Sequence, residues 1–455
     1  MIVIPEGFSG KGSFTGGVHP EENKAFSGGC SAKVLPAPPE VNLPLLQHAG
    51  AACEPVVQFK DVVTAGQLLA RSEAFVSAPV HSPLNGTVGR ESAVTLPNGR
   101  HVRTLPVTAQ GAQLEGQALW DDVYGGSWTT AGLDDFSPEE IADKVREAGI
   151  AGQGGAAFPT FIKLLGNPEK PVDFLLVNGC ECEPFLTSDQ CLMREAPHPI
   201  ISGALLAARA TGARQVAVVV EDNKPDAIEA LRAAAEGTSV AVAVVKTRYP
   251  MGGEKQLIRA VTGRTVPTGG LPLDAGVAVI NVATAAAMAR TVLRGKPLTH
   301  RLVCVTGGGI RNPANLLVPL GVPVQTLIDF CGGLTEDAAR VVSGGPMMGF
   351  ALNRLDVPVT KGTSGITVLT GRDVQKSKET ACVRCGRCAE VCPLNLVPTR
   401  MALAVRAHQW ELAKRWHIQA CMECGCCAYA CPAGLPLVQL IRNGKTEIIK
   451  ESKKA

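Results

Sequence analysis

Between about residue 136 and residue 298 the chain alternates two hydrophobic rhythms. Four short runs rich in β-branched residues are nearly continuous in apolar character: "DFLLVNG" (173–179), "QVAVVVE" (215–221), "VAVAVVK" (240–246) and "GVAVINV" (276–282). Between them lie helical stretches such as "KPDAIEALRAAAEG" (224–237). This alternation predicts a parallel α/β sheet, with ligands expected beyond the C-terminal ends of the strands. Ahead of the first run, Ser137-Pro138-Glu139-Glu140 reads as an N-cap, a first-turn proline and a capping-box glutamate. Ile141, Ala142, Val145 and Ala148 then recur at helical spacing as far as Gly149. Residues 54–88 read instead as short strands punctuated by Gly, Pro and Asn. Near the other end, "PTRMALAVRAHQWELAKRWHIQA" (398–420) reads as helix, with Met401, Ala404, Val405, Trp410, Leu412 and Trp416 available for packing.

At 455 residues the chain has room for about three or four domains. A net charge of +3 and 4% aromatic residues give no case for nucleic-acid binding. The segment "MIVIPEGFSGKG" lacks the basic and apolar regions of a signal peptide. The longest membrane-span candidate, residues 269–293, is broken by Pro272, Asp274, Asn281 and Arg290. The expectation is a chain soluble in isolation whose membrane association is peripheral.

The sixteen cysteines change the picture, because nine of them lie between Cys382 and Cys431. Without a secretory signal they point to metal or redox chemistry rather than disulfides. "CVRCGRCAEVCP" and "CMECGCCAYACP" both carry C-x2-C-x2-C-x3-C-P, at Cys382, Cys385, Cys388, Cys392 and at Cys421, Cys424, Cys427, Cys431. Three thiolates in one tight loop suit three irons of a cubane, and the offset fourth suits the other cluster. The expected ligand sets are Cys382, Cys385, Cys388 with Cys431, and Cys421, Cys424, Cys427 with Cys392. Zinc, the rival reading, ordinarily uses paired C-x2-C units at four-coordinate sites. Cys426 is out of register and reads as a bystander. Two clusters close together make a one-electron wire, which raises the question of what feeds it.

One candidate is "GIAGQGGAAFPTFIKL" (149–164), where Gly152, Gly154 and Ala157 fit G-x-G-x-x-A. A helix precedes it rather than a strand, so the usual dinucleotide fingerprint fails. What survives is a low-bulk loop able to bring backbone N–H groups close to an anion. Residues 54–88 resemble the barrel-sandwich domains that carry biotin or lipoate. No lysine occurs between Asp61 and Arg100, however, so a carrier function fails and a structural or docking role remains.

Taken in order, "GQGGAAFPT", Lys163, "NGCECEP", Asp189, "YPMGGEKQLI" and "INVAT" resemble the flavin-and-NADH subunit of respiratory complex I. "GGVHPEENK", "EDNKPDAIEAL", "GGEKQLI", "PTGGLP", "SGGPMMGFAL" and the doubled cysteine motif resemble more closely the C subunit of the Rnf-type ion-translocating NADH:ferredoxin oxidoreductases. The resemblance runs over essentially the whole chain. It implies a multidomain α/β protein with four units. These are an N-terminal barrel-sandwich β domain (1–125), a Rossmann-like parallel-sheet FMN/NADH domain (136–298), a small β-grasp domain (299–370) and a helical two-cluster ferredoxin domain (371–455). The implied FMN contacts are Gly152, Gly154, Gly155, Lys163, Asn178, Glu181, Gly252, Glu254, Asn281 and Thr284. Phe158 and Glu183 match positions near the nicotinamide and are the implied catalytic pair.

Four departures from the complex I pattern stand out: Cys180 and Gly253 replace acidic residues, Ala157 replaces a glycine, and no aromatic matches a second stacking ring after Lys163. The implied cofactors are FMN, NAD(H) and two [4Fe–4S] clusters. The implied partners are NADH, the other subunits of the membrane complex, and ferredoxin or flavodoxin as the redox partner of the whole. The implied place is the cytoplasmic face of the bacterial inner membrane. Two other readings are a soluble flavin/iron–sulfur reductase for another acceptor, such as a corrinoid, and an iron–sulfur scaffold or sensor that has lost its flavin.

Overall fold

The computed structural model describes residues 1–167, 169–374 and 378–452. The four apolar runs become four strands, β1 (Phe174–Asn178), β2 (Gln215–Glu221), β3 (Val240–Val245) and β4 (Val277–Asn281). They pair in the order β3-β2-β1-β4 and every pairing is parallel. Side chains alternate across a strand, and here both faces are buried. Leu175, Val177, Val218 and Ile280 enter one core while Leu176, Ala217, Val219 and Val279 enter a second. That is why the runs carry no polar alternation.

Seven helices accompany the strands: α1 (Pro138–Glu147), α2 (Thr160–Leu164), α3 (Ser188–Glu195), α4 (Pro197–Thr211), α5 (Pro225–Ala235), α6 (Glu254–Thr262) and α7 (Val282–Arg294). The Ser137 hydroxyl accepts from the Glu140 N–H, so the cap read from the sequence is formed. Helices α4 and α7 touch at Gly203, where an added Cβ would lie 1.9 Å from the Ala285 carbonyl oxygen. The opposite face is covered by Leu257, Ile258 and Val261 of α6, together with Phe8 and Phe14 from the start of the chain.

Within the expected 1–125 unit, the N-terminal stretch pairs outside the barrel strands. Val3 bridges to Val244, Val18 bridges to Tyr249, and strand Ala32–Val34 pairs in parallel with Ala314–Pro319. Residues 1–34 therefore run as a strap across the flavin-type sheet into the third unit. The barrel-sandwich strands proper begin at Glu40 and end at Ala109, in one sheet of five strands and one of three. The third unit is a six-stranded sheet, including His300–Thr306 and Gly365–Thr370, with helix Val324–Phe330.

In the cysteine-rich unit the expected single helix is two helices, Pro398–Arg406 and Trp410–Arg415. They are separated at His408, whose left-handed φ of 53° breaks the ladder. Among the described residues no helix is long and apolar enough to cross a membrane.

Candidate functional site

The site gathers where the C-terminal ends of β1 and β4 meet the glycine loop. Asn178 and Asn281 end these neighbouring strands and are register partners. Asn281 Oδ1 caps α7 by accepting from the Ala283 N–H at 2.8 Å, while its Nδ2 donates to Asp189 Oδ2 at 2.6 Å. Asn178 Nδ2 donates to the Gly252 carbonyl at 2.9 Å, linking the strand end to the loop that opens α6. Burial, reinforced by the Glu181 carboxylate, pushes the Asp189 carboxyl well above the usual carboxylate range.

Residues 149–157 fold back on themselves, with the Gly152 N–H donating to the Phe158 carbonyl at 2.8 Å. A Cβ on Gly155 would meet nothing within 4 Å, and one on Gly154 would only brush Asn281, at 3.4 Å. Open space therefore fronts both glycines. Gln153, 2% exposed, donates its backbone N–H to Thr284 Oγ1 at 3.0 Å and leaves its Oε1 without a partner.

Behind the loop stand two fully buried cations. Arg301 donates to the Gln153 carbonyl at 3.2 Å and to the Lys361 carbonyl, and Lys361 Nζ donates to the Gly149 carbonyl at 2.8 Å. Burial lowers their pKa values to about 10 and about 8. Neither forms a salt bridge among the described residues, although the Asp189 carboxylate lies close enough to Arg301 to feel its charge. The barrel-sandwich unit braces the same loop, with the Ala49 N–H donating to the Ala157 carbonyl at 2.9 Å. A low-bulk cradle and two cations behind it fit the phosphate of a flavin nucleotide, and the partnerless Gln153 amide oxygen fits an N–H donor on its ring.

The remaining candidates divide. Lys163 Nζ reaches Glu254 Oε1 at 2.5 Å and the Val279 carbonyl at 2.9 Å, so these two lie together at the sheet edge. The Glu181 carboxylate turns to the first turn of α3, accepting from Ser188 Oγ, the Asp189 N–H and the Gln190 N–H. The Glu183 carboxylate turns to the third unit, where it accepts from the Met347 and Met348 N–H groups at 3.1 and 2.8 Å. Burial pushes its carboxyl up to about 7, against the opposing pull of those amides. Phe158 is half-buried at the end of the glycine loop. Sequence reasoning missed Lys24, whose ammonium donates to the Glu181, Glu183 and Leu186 carbonyls at 2.8, 3.1 and 2.5 Å. It lies in the quoted "GGVHPEENK", but a contact made only to carbonyls has no sequence signature.

Seven of the eight motif cysteines neighbour one another across the two loops. Cys382, Cys388, Cys427 and Cys431 share an apolar cluster with Ala402, Leu437 and Val438. The Cys392 thiol neighbours those of Cys388 and Cys424, and also those of Cys421 and Cys427. Matching left-handed residues, Arg384 with Gly386 and Glu423 with Gly425, give the two loops the same turn. Among the described residues no three His, Cys, Asp or Glu side chains already converge on a single-ion site. A donor set of eight thiols in two tight loops fits iron–sulfur clusters, with the amides of Leu396 and Glu423 donating to Cys392 and Cys421 sulfurs.

The second loop is packed on the flavin side. A Cβ on Gly253 would lie 2.6 Å from Met422 Cε, and one on Gly425 would lie 2.8 Å from the Met347 carbonyl oxygen. In the first loop Cys385 is exposed, while the Cys392 end meets the strap, the Gly17 N–H donating to the Val391 carbonyl at 2.8 Å.

Comparison with known proteins matches each unit in turn. Residues 12–112 match the RnfC barrel sandwich hybrid domain, and residues 145–290 match the Nuo51 FMN-binding domain. Residues 302–351 match the SLBB domain, and residues 378–435 a 4Fe-4S dicluster domain. The sequence is 42% identical to the C subunit of the proton-translocating ferredoxin:NAD+ oxidoreductase complex of Clostridium ljungdahlii, across 88% of this chain and 86% of the relative. The chain belongs to the C-subunit family of ion-translocating oxidoreductase complexes.

Two further relatives of the same family agree. The Rhodobacter capsulatus protein is 43% identical over 96% of this chain and 83% of its own length. The C subunit of the Na+-translocating ferredoxin:NAD+ oxidoreductase complex of Acetobacterium woodii is 40% identical over 97% and 98%. These relatives are named for different coupling ions, so the family alone does not fix the ion. An NAD+-reducing [NiFe]-hydrogenase structure in the H2-reduced state shares the fold, with a TM-score of 0.52 and 21% identity. That match spans 73% of this chain and 65% of the hydrogenase chain.

Proposed function

We propose that this protein oxidises NADH and passes the electrons through FMN and two [4Fe–4S] clusters within an ion-translocating NADH:ferredoxin oxidoreductase. It would be peripheral, on the cytoplasmic face of the membrane, against the other subunits. Ferredoxin or flavodoxin would be the redox partner of the whole complex. Bound FMN would supply the conversion between two-electron nicotinamide chemistry and one-electron cluster chemistry.

The chain's own residues supply the rest. Gly152, Gly154 and Gly155 leave room for the flavin, and Arg301 and Lys361 make the loop in front of them favourable to phosphate. Asn178, Asn281, Thr284, Gly252 and the Lys163–Glu254 pair form its rim. Glu181 acts indirectly, by fixing the first turn of α3. Glu183, its carboxyl pushed up to about 7, lies beside the Met347 loop, and Phe158 at the end of the glycine loop is the second nicotinamide candidate. Cys421, Cys424, Cys427 and Cys392 form the entry side of the wire, and Cys382, Cys385, Cys388 and Cys431 the exit side.

The observation that carries this reading is the direct packing of the second cysteine loop on the flavin-side loop within one chain. The relatives from ion-translocating complexes support that role over a soluble reductase for another acceptor. The test is to reconstitute the full chain with iron, sulfide and FMN and add NADH. A flavin absorbance band bleached by NADH is expected. A folded, reconstituted chain that takes up no FMN, or whose flavin NADH does not bleach, overturns the reading.

A further inference from the structure

Tyr249 lies at the start of "YPMGGEKQLI", three residues before Gly252, and is 3% exposed. Its backbone is clamped by the N-terminal strap: the Val18 N–H donates to the Tyr249 carbonyl at 2.9 Å and the Tyr249 N–H donates back to Val18 at 3.1 Å. Its side chain crosses to the cysteine-rich unit, where the hydroxyl donates to the Cys424 carbonyl at 2.6 Å. The ring packs in one apolar cluster with Val18, Cys424 and Cys426, bordered by Cys182, Met347 and Met422. Cys182 completes the link, because its sulfur accepts from the Gly252 N–H at 3.3 Å.

A second hydrogen bond runs from the flavin domain to the cysteine unit. Gln256 Nε2 donates to the Pro393 carbonyl at 3.3 Å, just beyond the first motif. It is longer, and it meets a residue that ligates nothing. The two contacts therefore differ in kind: one ends on the backbone of a ligand residue, the other beside it. A buried hydrogen bond is a shorter path between two centres than a van der Waals gap, and it fixes the separation at which they sit.

We infer that Tyr249 is a positioning residue for the electron-transfer step. Its hydroxyl holds the Cys424 end of the second cysteine loop against the flavin-side loop, and so sets the coupling between the two. The inference rests on the proposed function. The tyrosine is neither oxidised nor reduced: bound FMN and the clusters would carry the electrons, and the hydroxyl only holds the two loops together.

The test uses the full chain, reconstituted with FMN and clusters, as wild type, Tyr249→Phe and Gln256→Met. Phenylalanine keeps the ring and its packing and removes only the hydroxyl. Stopped-flow absorbance follows flavin bleaching by NADH and cluster reduction separately, and EPR records both clusters. Tyr249→Phe is expected to keep its FMN and iron and still to bleach with NADH; because the hydroxyl also faces the Glu183 carboxyl, cluster reduction is scored as the step that follows bleaching. Its cluster reduction should slow by about fivefold, the factor that about 1 kcal/mol converts to. The EPR signal of the Cys421–Cys427 cluster should shift while the other stays fixed. Gln256→Met should leave cluster reduction within about twofold of wild type. Unchanged cluster reduction and EPR in Tyr249→Phe overturn the inference. So does equal slowing in Gln256→Met, which would mean that docking in general, and not this hydroxyl, sets the rate. Failure of NADH to bleach wild-type flavin would instead overturn the proposed function, so the two failures are distinguishable.

Discussion

Gly154→Val separates the cofactor cradle from the fold that carries it. Gly154 is exposed and is not among the positive-φ glycines, so an L side chain strains no backbone there. Its Cβ would stand 3.4 Å from Asn281 Cβ and 3.6 Å from Nδ2, ordinary contact distances, with open space beyond over Gly155. The apo protein should lose little, because removing a glycine also narrows the unfolded ensemble, an effect worth about 0.4–1 kcal/mol in the opposite direction. With FMN present, the valine methyls occupy the space the ligand needs. Overpacking of about 1–3 kcal/mol corresponds to a five- to hundredfold weaker Kd.

Gly252→Ala makes the contrast, since its Cβ would sit 2.4 Å from the Cys180 carbonyl oxygen, a backbone atom that cannot swing away. That variant should lose both FMN and apo stability. The assay is FMN titration by flavin fluorescence, with the apo melting temperature and iron content measured on the same preparations. Gly154→Val that binds stoichiometric FMN within about twofold of the wild-type Kd would refute the cradle.

Cys392→Ser is expected to perturb the EPR signal of the Cys421–Cys427 cluster rather than that of its own loop. Cys426→Ser should retain about eight irons per chain. A lost Cys382–Cys388 signal in the first variant, or halved iron in the second, counts against the crossed ligand sets. Gly203→Ala drives a Cβ to 1.9 Å from the Ala285 carbonyl oxygen and should cost about 1–3 kcal/mol, seen as an earlier first transition in calorimetry. An unchanged scan would mean that α4 and α7 separate freely. Burial holds His48, His81 and His300 neutral, at pKa values of about 4, about 3 and about 3. The unfolded chain then binds more protons below pH 6.5, so stability falls as pH drops through that value toward the folded pKa values. Each histidine contributes a loss of about 2–3 kcal/mol by pH 4.5. His81→Leu should flatten the acid limb of a denaturation series by that amount, and an unchanged limb would refute the assignment.

What the sequence made legible was whatever carries a period or a spacing. The four strands are read from uninterrupted apolar runs, because both faces of the sheet are covered. The Ser137 cap and the two cysteine loops are equally local, and the loops' left-handed turns recur at matched positions. What was hidden is long-range contact to backbone. Arg301 and Lys361 reach the glycine loop from the third unit, and Lys24 reaches residues 181–186 from the strap, all through carbonyl oxygens. Glu183 looks like a substrate contact by position, yet its carboxylate is met by amides of residues 347 and 348, far along the chain. Nothing in the spacing of "NGCECEP" marks that partner. The break at His408 was missed because the apolar pattern continues on both sides of a single left-handed residue.

The central claim is that NADH reaches the clusters only by way of flavin bound in the glycine cradle. The most direct measurement is freeze-quenched EPR of the iron–sulfur signals after NADH is mixed with the full chain, once loaded with FMN and once stripped of it. The account predicts reduced-cluster signals in the loaded protein and none in the stripped protein, with recovery when FMN is added back. Cluster reduction by NADH without FMN, or no reduction in the loaded protein despite full iron and flavin, would contradict it.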